Sequence, residues 1–157
     1  MGNEIRIRRS PTADTRTADH EVTKSELAKS SLMHIHDVRQ AMDWMADKIA
    51  EAGDRHDWTK IQFLDDFYRQ FHRAQETGEW GKGWYDETHT RLERHHLNDR
   101  CPDDVDLVDV IEMLCDGVMA GLARSGRYRD ERVDPEMLAR AYENTVRKLV
   151  RATVVEE

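Results

Sequence analysis

Residues 23–52 read TKSELAKSSLMHIHDVRQAMDWMADKIAEA, and this stretch decides the fold class. Leu27, Ser31, His34 or Ile35, Val38, Met42, Met45 and Ile49 recur every three or four positions, the spacing of one helix face. No Pro or Gly interrupts the run, and Gly53 follows it as a stop signal. The spacing predicts a helix from Thr23 to Ala52 with that stripe against a core. Working outward, Trp58, Ile61, Leu64, Phe67 and Phe71 mark a second helix, ending before the Gly-rich loop 76–83. A third helix is predicted from Trp84 to about His96, before the breaker-rich loop 98–104. A fourth runs from Asp104 to Ala123, with Val108, Ile111, Cys115, Val118 and Leu122 on one face. Asp134 caps a fifth, with Pro135 at its first position and Leu138, Ala141 or Tyr142, Val146 and Leu149 or Val150 inward. The reading is all-α: a compact single-domain bundle of about five helices over 23–157, behind a polar, flexible tail at 1–22. Ile5 and Ile7 alternate with Arg6 and Arg8, so a short strand or swapped arm stays open there. Arg6, Arg8 and Arg9 read as solvated, with contact to an anionic partner as the sharper alternative.

Composition narrows the class. At 157 residues, 38% hydrophobic, the chain can bury a core without disulfides. Two cysteines, Cys101 and Cys115, make no disulfide framework, which suits a reducing compartment. No apolar run approaches the ~20 residues of a membrane span, and the first residues lack a secretory apolar stretch. A cytoplasmic location is the expectation. A net charge of −8 argues against a general nucleic-acid-binding surface. Eight histidines remain to be explained.

Their placement points to a metal. His34 falls on the inner stripe of the first helix, while His36 is rotated away from it. Asp57 lies one turn before Ile61, with His56 beside it at the helix mouth. Asp116 follows Cys115, with Glu112 and Asp109 above it on the same flank. A buried carboxylate without a partner is costly, and a divalent ion would offset it. A set of imidazoles and carboxylates suits Mn, Fe, Co, Ni or Zn. His56 and Asp57 reach one ion only if the chain bends between the first two helices, which the junction permits. The plainer readings are a helix N-terminal pair at 56–57, a core histidine at 34 and a salt bridge from Asp116 to Arg55 or Arg91.

The series His34, His56-Asp57, Asp116 resembles the H…HD…D pattern of the HD-domain metal phosphohydrolases. HisAspTrpThrLys (56–60) is similar to their His-Asp-x-x-Lys form. The arrangement TrpTyr (84–85), His89, His95-His96, AsnAspArgCysPro (98–102) and GluMetLeuCysAsp (112–116) resembles an uncharacterised HD-like family of phage and bacterial genomes. The resemblance covers roughly residues 30–125. It implies a helical metalloenzyme that hydrolyses a nucleotide or related small phosphoester by metal-activated water. His34, His56, Asp57 and Asp116 would be the ligands. His34 and His56 are only 22 positions apart, which fits one ion better than two, although His89 and His96 could hold a second. Lys60 would reach a phosphate oxygen. Glu112, His89 or His96 would orient the water. Arg91, Arg94, Arg124 and Trp84 would bind substrate, under loops 76–83 and 98–103. Two further readings are an HD-type di-iron oxygenase and a non-catalytic helical interaction protein stabilised by metal. The long first helix would supply the surface of a homodimer.

Overall fold

The computed structural model describes residues 4–10, 14–128 and 132–157; parts of the expected tail and of the loop before the last helix lie outside these. The chain is mostly α-helical with a minor two-stranded sheet. Strand β1 (Ile5–Arg8) is followed by α1 (Lys24–Arg55), α2 (Trp58–Gln62) and α3 (Leu64–Thr77). A π-helical turn (Tyr85–His89) runs into the one-turn α4 (Thr90–Leu92); then come α5 (Leu107–Ser125), α6 (Pro135–Ala152) and β2 (Thr153–Glu156). Among the described residues, no helix is long and apolar enough to cross a membrane.

Two compact units emerge, one of residues 1–48 with 146–157, the other of residues 49–145. In the first, β1 pairs in parallel with β2, Ile5 opposite Thr153 and Ile7 opposite Val155. The alternation of Ile with Arg makes a strand, as the open alternative allowed, and Ile5 is buried. Its partner is a β-branched run, Thr153-Val154-Val155, directly after α6.

The second unit has a small core of Leu97, Val105, Met113, Met137 and Ala141, with Leu107, Val110 and Val133 packed against it. Here α5 is anchored by a capping box. The Asp106 carboxylate accepts from the amides of Val108 and Asp109, and Asp109 accepts from the amide of Asp106. Arg94 grips Asp109 with two bonds of 2.8 Å and adds Asp104. Thr145 of α6 accepts from the Leu107 amide at 2.9 Å.

The expected inner stripes do not all point inward. Leu27, Ile35, Val38 and Met42 of α1 are exposed, and so are Trp58, Ile61, Leu64 and Phe71. Periodicity finds a helix face but cannot say what covers it. The predicted second helix breaks at Phe63 (φ −110°), giving α2 and α3. The predicted third helix stops at Leu92, because Glu93 is extended (φ −92°, ψ 113°).

Candidate metal centre

The centre is built within the 49–145 unit, and its first element is a bend. Past Arg55 the backbone leaves the helix, and Asp57 takes a left-handed conformation (φ 57°, ψ 21°). It is the one non-glycine with positive φ among the described residues. Aspartate enters this region more readily than most residues, and such geometry concentrates at functional sites. The bend turns two adjacent side chains to one place: His56 Nε2 lies 3.6 Å from Asp57 Oδ2. The required bend at 56–57 is thus present.

The second element is the break at Glu93. It releases His95 and His96 from helical geometry, so that these adjacent residues both turn to the site. His96 Nε2 stands 2.8 Å from His89 Nε2. That pairing comes from the turn after α4, not from a shared helix face. The third element is α5, which presents Glu112 and Asp116 one turn apart.

Around Asp57 the distances divide in two. On the Oδ2 side, His56 Nε2 lies 3.5 Å from Asp116 Oδ1, and Lys60 Nζ contacts Oδ2 itself. On the Oδ1 side, His89 Nε2 is at 3.4 Å and His95 Nε2 at 3.7 Å. These contacts are too long for hydrogen bonds, and Asp57 Oδ1 and His95 Nε2 are buried without a hydrogen-bond partner. Two ligands of one ion, each about 2.1 Å from it in tetrahedral geometry, stand about 3.4 Å apart. His56, Asp57 and Asp116 form one convergent set, and Asp57, His95 and His96 another. The residues present therefore fit a divalent ion, and Asp57 is common to both sets.

Neighbouring groups set the tautomers. Thr59 donates its hydroxyl to Glu93 Oε1 at 2.6 Å, so its oxygen accepts from His89 Nδ1 at 2.7 Å. The His89 Nε2 lone pair then faces Asp57. Thr59, His89 and Glu93 are all buried. Glu112 Oε1 lies 3.0 Å from His56 Nδ1 and 2.9 Å from His95 Nδ1. The angles of the second contact fall outside a hydrogen bond, but a carboxylate that close to a ring nitrogen calls for a proton between them. Both rings thus turn Nε2 toward Asp57 and its neighbours. His96 Nδ1 has Tyr85 Oη at 3.4 Å and Asp99 Oδ2 at 3.5 Å.

The electrostatics follow. Burial, then the neighbouring His96, push His89 down to about 3; burial, then His95, push His96 down to about 4. Burial also opposes charge on His95, but Glu112, Asp57 and Asp116 outweigh it and hold its pKa above the ordinary value. Burial acts to raise Asp57, yet Lys60, His56 and His89 keep it below the usual carboxylate range. Glu112 is likewise held down, its burial outweighed by His95 and His56. Burial and three carboxylates push Tyr85 up to about 12.

A cavity of about 850 Å³ opens over this cluster. His95, His96, Asp116 and Lys60 line it, with Phe67, Phe71, Trp80, Trp84 and Tyr85 as an aromatic wall and Arg124 as a further cation. Trp84 stacks on His89, with centroids 5.4 Å apart and planes 24° apart.

The site residues inferred from sequence fall into two groups. His56, Asp57, Asp116, Lys60, Glu112, His89 and His96 come together, and Trp84 and Arg124 line the cavity. His34 does not join them. It is exposed on α1, in the other unit, and no convergent ligand set among the described residues includes it. Its place on the apolar stripe is real, but the stripe faces solvent. Arg94 is committed to Asp109 and Asp104. Arg91 is exposed and does not line the cavity. Asp116 meets His56 rather than Arg55 or Arg91. Sequence reasoning missed His95 as an equal member, together with Thr59 and Glu93. The His95-His96 doublet was the available signal.

A family model described as a family of unknown function (DUF5662) matches residues 23–156. The chain belongs to the DUF5662 family. No curated protein and no solved structure gives a match. Every residue of the centre lies inside the segment that matches DUF5662.

Proposed function

We propose that this DUF5662 chain is a metal-dependent phosphohydrolase of HD type, acting on a nucleotide or related small phosphoester. One observation carries the reading: the half-buried Asp57 carboxylate, its Oδ1 buried without a hydrogen-bond partner, sits between two sets of ligand atoms at ion-sharing distances, beneath an aromatic-walled cavity. His56, Asp57 and Asp116 would hold one ion, and Asp57, His89, His95 and His96 a second, so two ions fit better than one. A divalent ion bound there supplies Lewis acidity toward a phosphoryl oxygen and lowers the pKa of a bound water.

The chain's own residues do the rest. Glu112, Thr59 and Glu93 hold the imidazoles in the ligating tautomer. Lys60 and Arg124 face the cavity as grips for phosphate oxygens. Without an ion these two cations are balanced by Asp99 and Asp116 in the lining, so divalent charge is what makes the floor attractive to an anion despite the chain's net −8. Phe71, Trp80 and Trp84 offer faces for a planar ring, and Trp84 Nε1 is a buried donor without a partner.

The test is elemental analysis of the purified protein, followed by a phosphoester panel with Mn, Fe, Co, Ni or Zn. Bound transition metal, hydrolysis of a nucleotide, and a Lys60→Ala variant that keeps metal but loses turnover are expected. No metal after soaking, in wild type and Asp57→Ala alike, overturns the reading and leaves a helical interaction protein. The imidazole-rich set on the Oδ1 side also favours a second reading, a di-iron oxygenase. Substrate-dependent O2 uptake by the iron-loaded protein, without phosphate release, would select it.

A further inference from the structure

The apolar stripe of α1 is turned outward. Leu27, Ile35, Val38, Met42 and Ile49 are all exposed, Met42 at 63%. The half-buried side of the same helix is mixed: Met33, Trp44 and Met45 share it with Asp37, Gln40, Asp47 and Lys48. The more exposed apolar residues are thus left without a cover. The stripe also has a particular period. Ile35, Val38, Met42, Met45 and Ile49 alternate by three and four, a 3.5-residue repeat that makes a seam for another helix rather than a face for a broad core.

We infer that this seam is a homodimer interface, in which α1 of one copy packs along α1 of a second. Three observations favour a second copy as the occupant. The stripe runs about 33 Å at 1.5 Å per residue, long enough for a two-helix seam. It exposes on the order of 500 Å² per copy, or about 1,000 Å² for a pair, the lower bound of a specific interface. Its flanks hold Ala41, Ala46 and Arg39 but no carboxylate, whereas Asp37, Asp43, Asp47 and Glu51 lie at positions away from the seam. In a chain of net charge −8, this is the surface on which two copies meet without opposing acids. Ile35 and Val38, both β-branched, supply rigid knobs at its centre.

The test is the solution mass of the full chain by sedimentation velocity, across a wide range of concentration. The wild type should run at twice the monomer mass. Ile35→Glu/Met42→Glu should weaken association by at least about a hundredfold, because it desolvates four carboxylates in the seam of a pair. Its far-UV circular dichroism should be unchanged, since both side chains are already exposed. His36→Glu/Ala50→Glu adds the same carboxylates outside the seam and should stay dimeric. A wild type that is monomeric throughout overturns the inference without needing any variant. So does a double seam variant that dimerises as the wild type does. A monomer that floats with lipid vesicles overturns it in favour of a membrane-surface helix.

Discussion

Thr59 Oγ1 stands 2.7 Å from His89 Nδ1, and both side chains are buried. The hydroxyl is already spent as a donor to Glu93, so the imidazole must supply the proton of this bond. The second residue of α2 thereby decides which nitrogen of a residue thirty positions later can ligate.

Thr59→Val keeps the shape and removes that acceptor. Metal affinity should fall about 10–100-fold, the usual effect of losing a partner behind a ligating histidine. Stability should fall by about 1–3 kcal/mol, because Glu93 keeps only the Thr59 amide. Isothermal titration with Zn or Mn reads the first and thermal melts of the metal-free protein the second. Unchanged affinity would remove Thr59 and His89 from the centre.

Asp57 is shared between the two ligand sets, whereas Asp116 and His89 each touch one side of it. The expected metal content is two ions per chain in the wild type and one in Asp116→Ala or His89→Ala. Asp57→Ala should retain none. Mass spectrometry under native conditions counts them. One ion in both wild type and His89→Ala would reduce the centre to the Oδ2 side.

Acid should destabilise the metal-free protein. His89 and His96 stay neutral in the fold down to about 3 and about 4, whereas an unfolded imidazole takes its proton near pH 6.5. Between those limits the unfolded chain binds more protons, so stability falls as pH falls. His95 has the opposite sign: its raised pKa adds stability at low pH that is lost as pH rises through it. Two groups outweigh one, and the Tm in chelator should drop from about pH 7 to about pH 4. Metal must also displace the His95 proton, so affinity should weaken over the same range. A flat Tm across this window would contradict the buried, neutral pair.

Arg94 is a structural residue. Arg94→Ala leaves buried Asp109 with the Asp106 amide as its remaining partner among the bonds described above. A loss of about 1–3 kcal/mol is expected, lowering the Tm by several degrees at about 2–4 °C per kcal/mol. Metal affinity should not change. A fully stable variant with lost turnover would return Arg94 to the substrate site.

Trp80 is exposed at the cavity mouth, edge-on to Phe71 at 5.5 Å between centroids. If this wall receives a base, Trp80→Ala should raise KM for a nucleotide about tenfold or more, since one base–aromatic stack contributes about 1–3 kcal/mol. KM for an aliphatic phosphoester should stay as it was. Equal losses on both substrates would remove base stacking from the account.

The amino-acid pattern by itself determined that the chain is helical and that α1 is long, and it singled out His56-Asp57, His89, His96, Glu112 and Asp116 as candidate site residues. Those conclusions rest on local quantities: a three-to-four-residue period, cap and stop residues, and side-chain donor types. The tertiary structure decided which way each helix face points and which backbone breaks matter. The stripe of α1 has the period of a core-facing helix, yet Leu27, Ile35, Val38 and Met42 are exposed, and no convergent ligand set among the described residues includes His34. Nothing local in ArgLeuGluArgHisHis (91–96) announces that the helix ends at Leu92. Glu93 is buried against Thr59, thirty-four positions earlier, and a long-range bond of that kind overrides helical propensity. Only that break brings both His95 and His96 to Asp57.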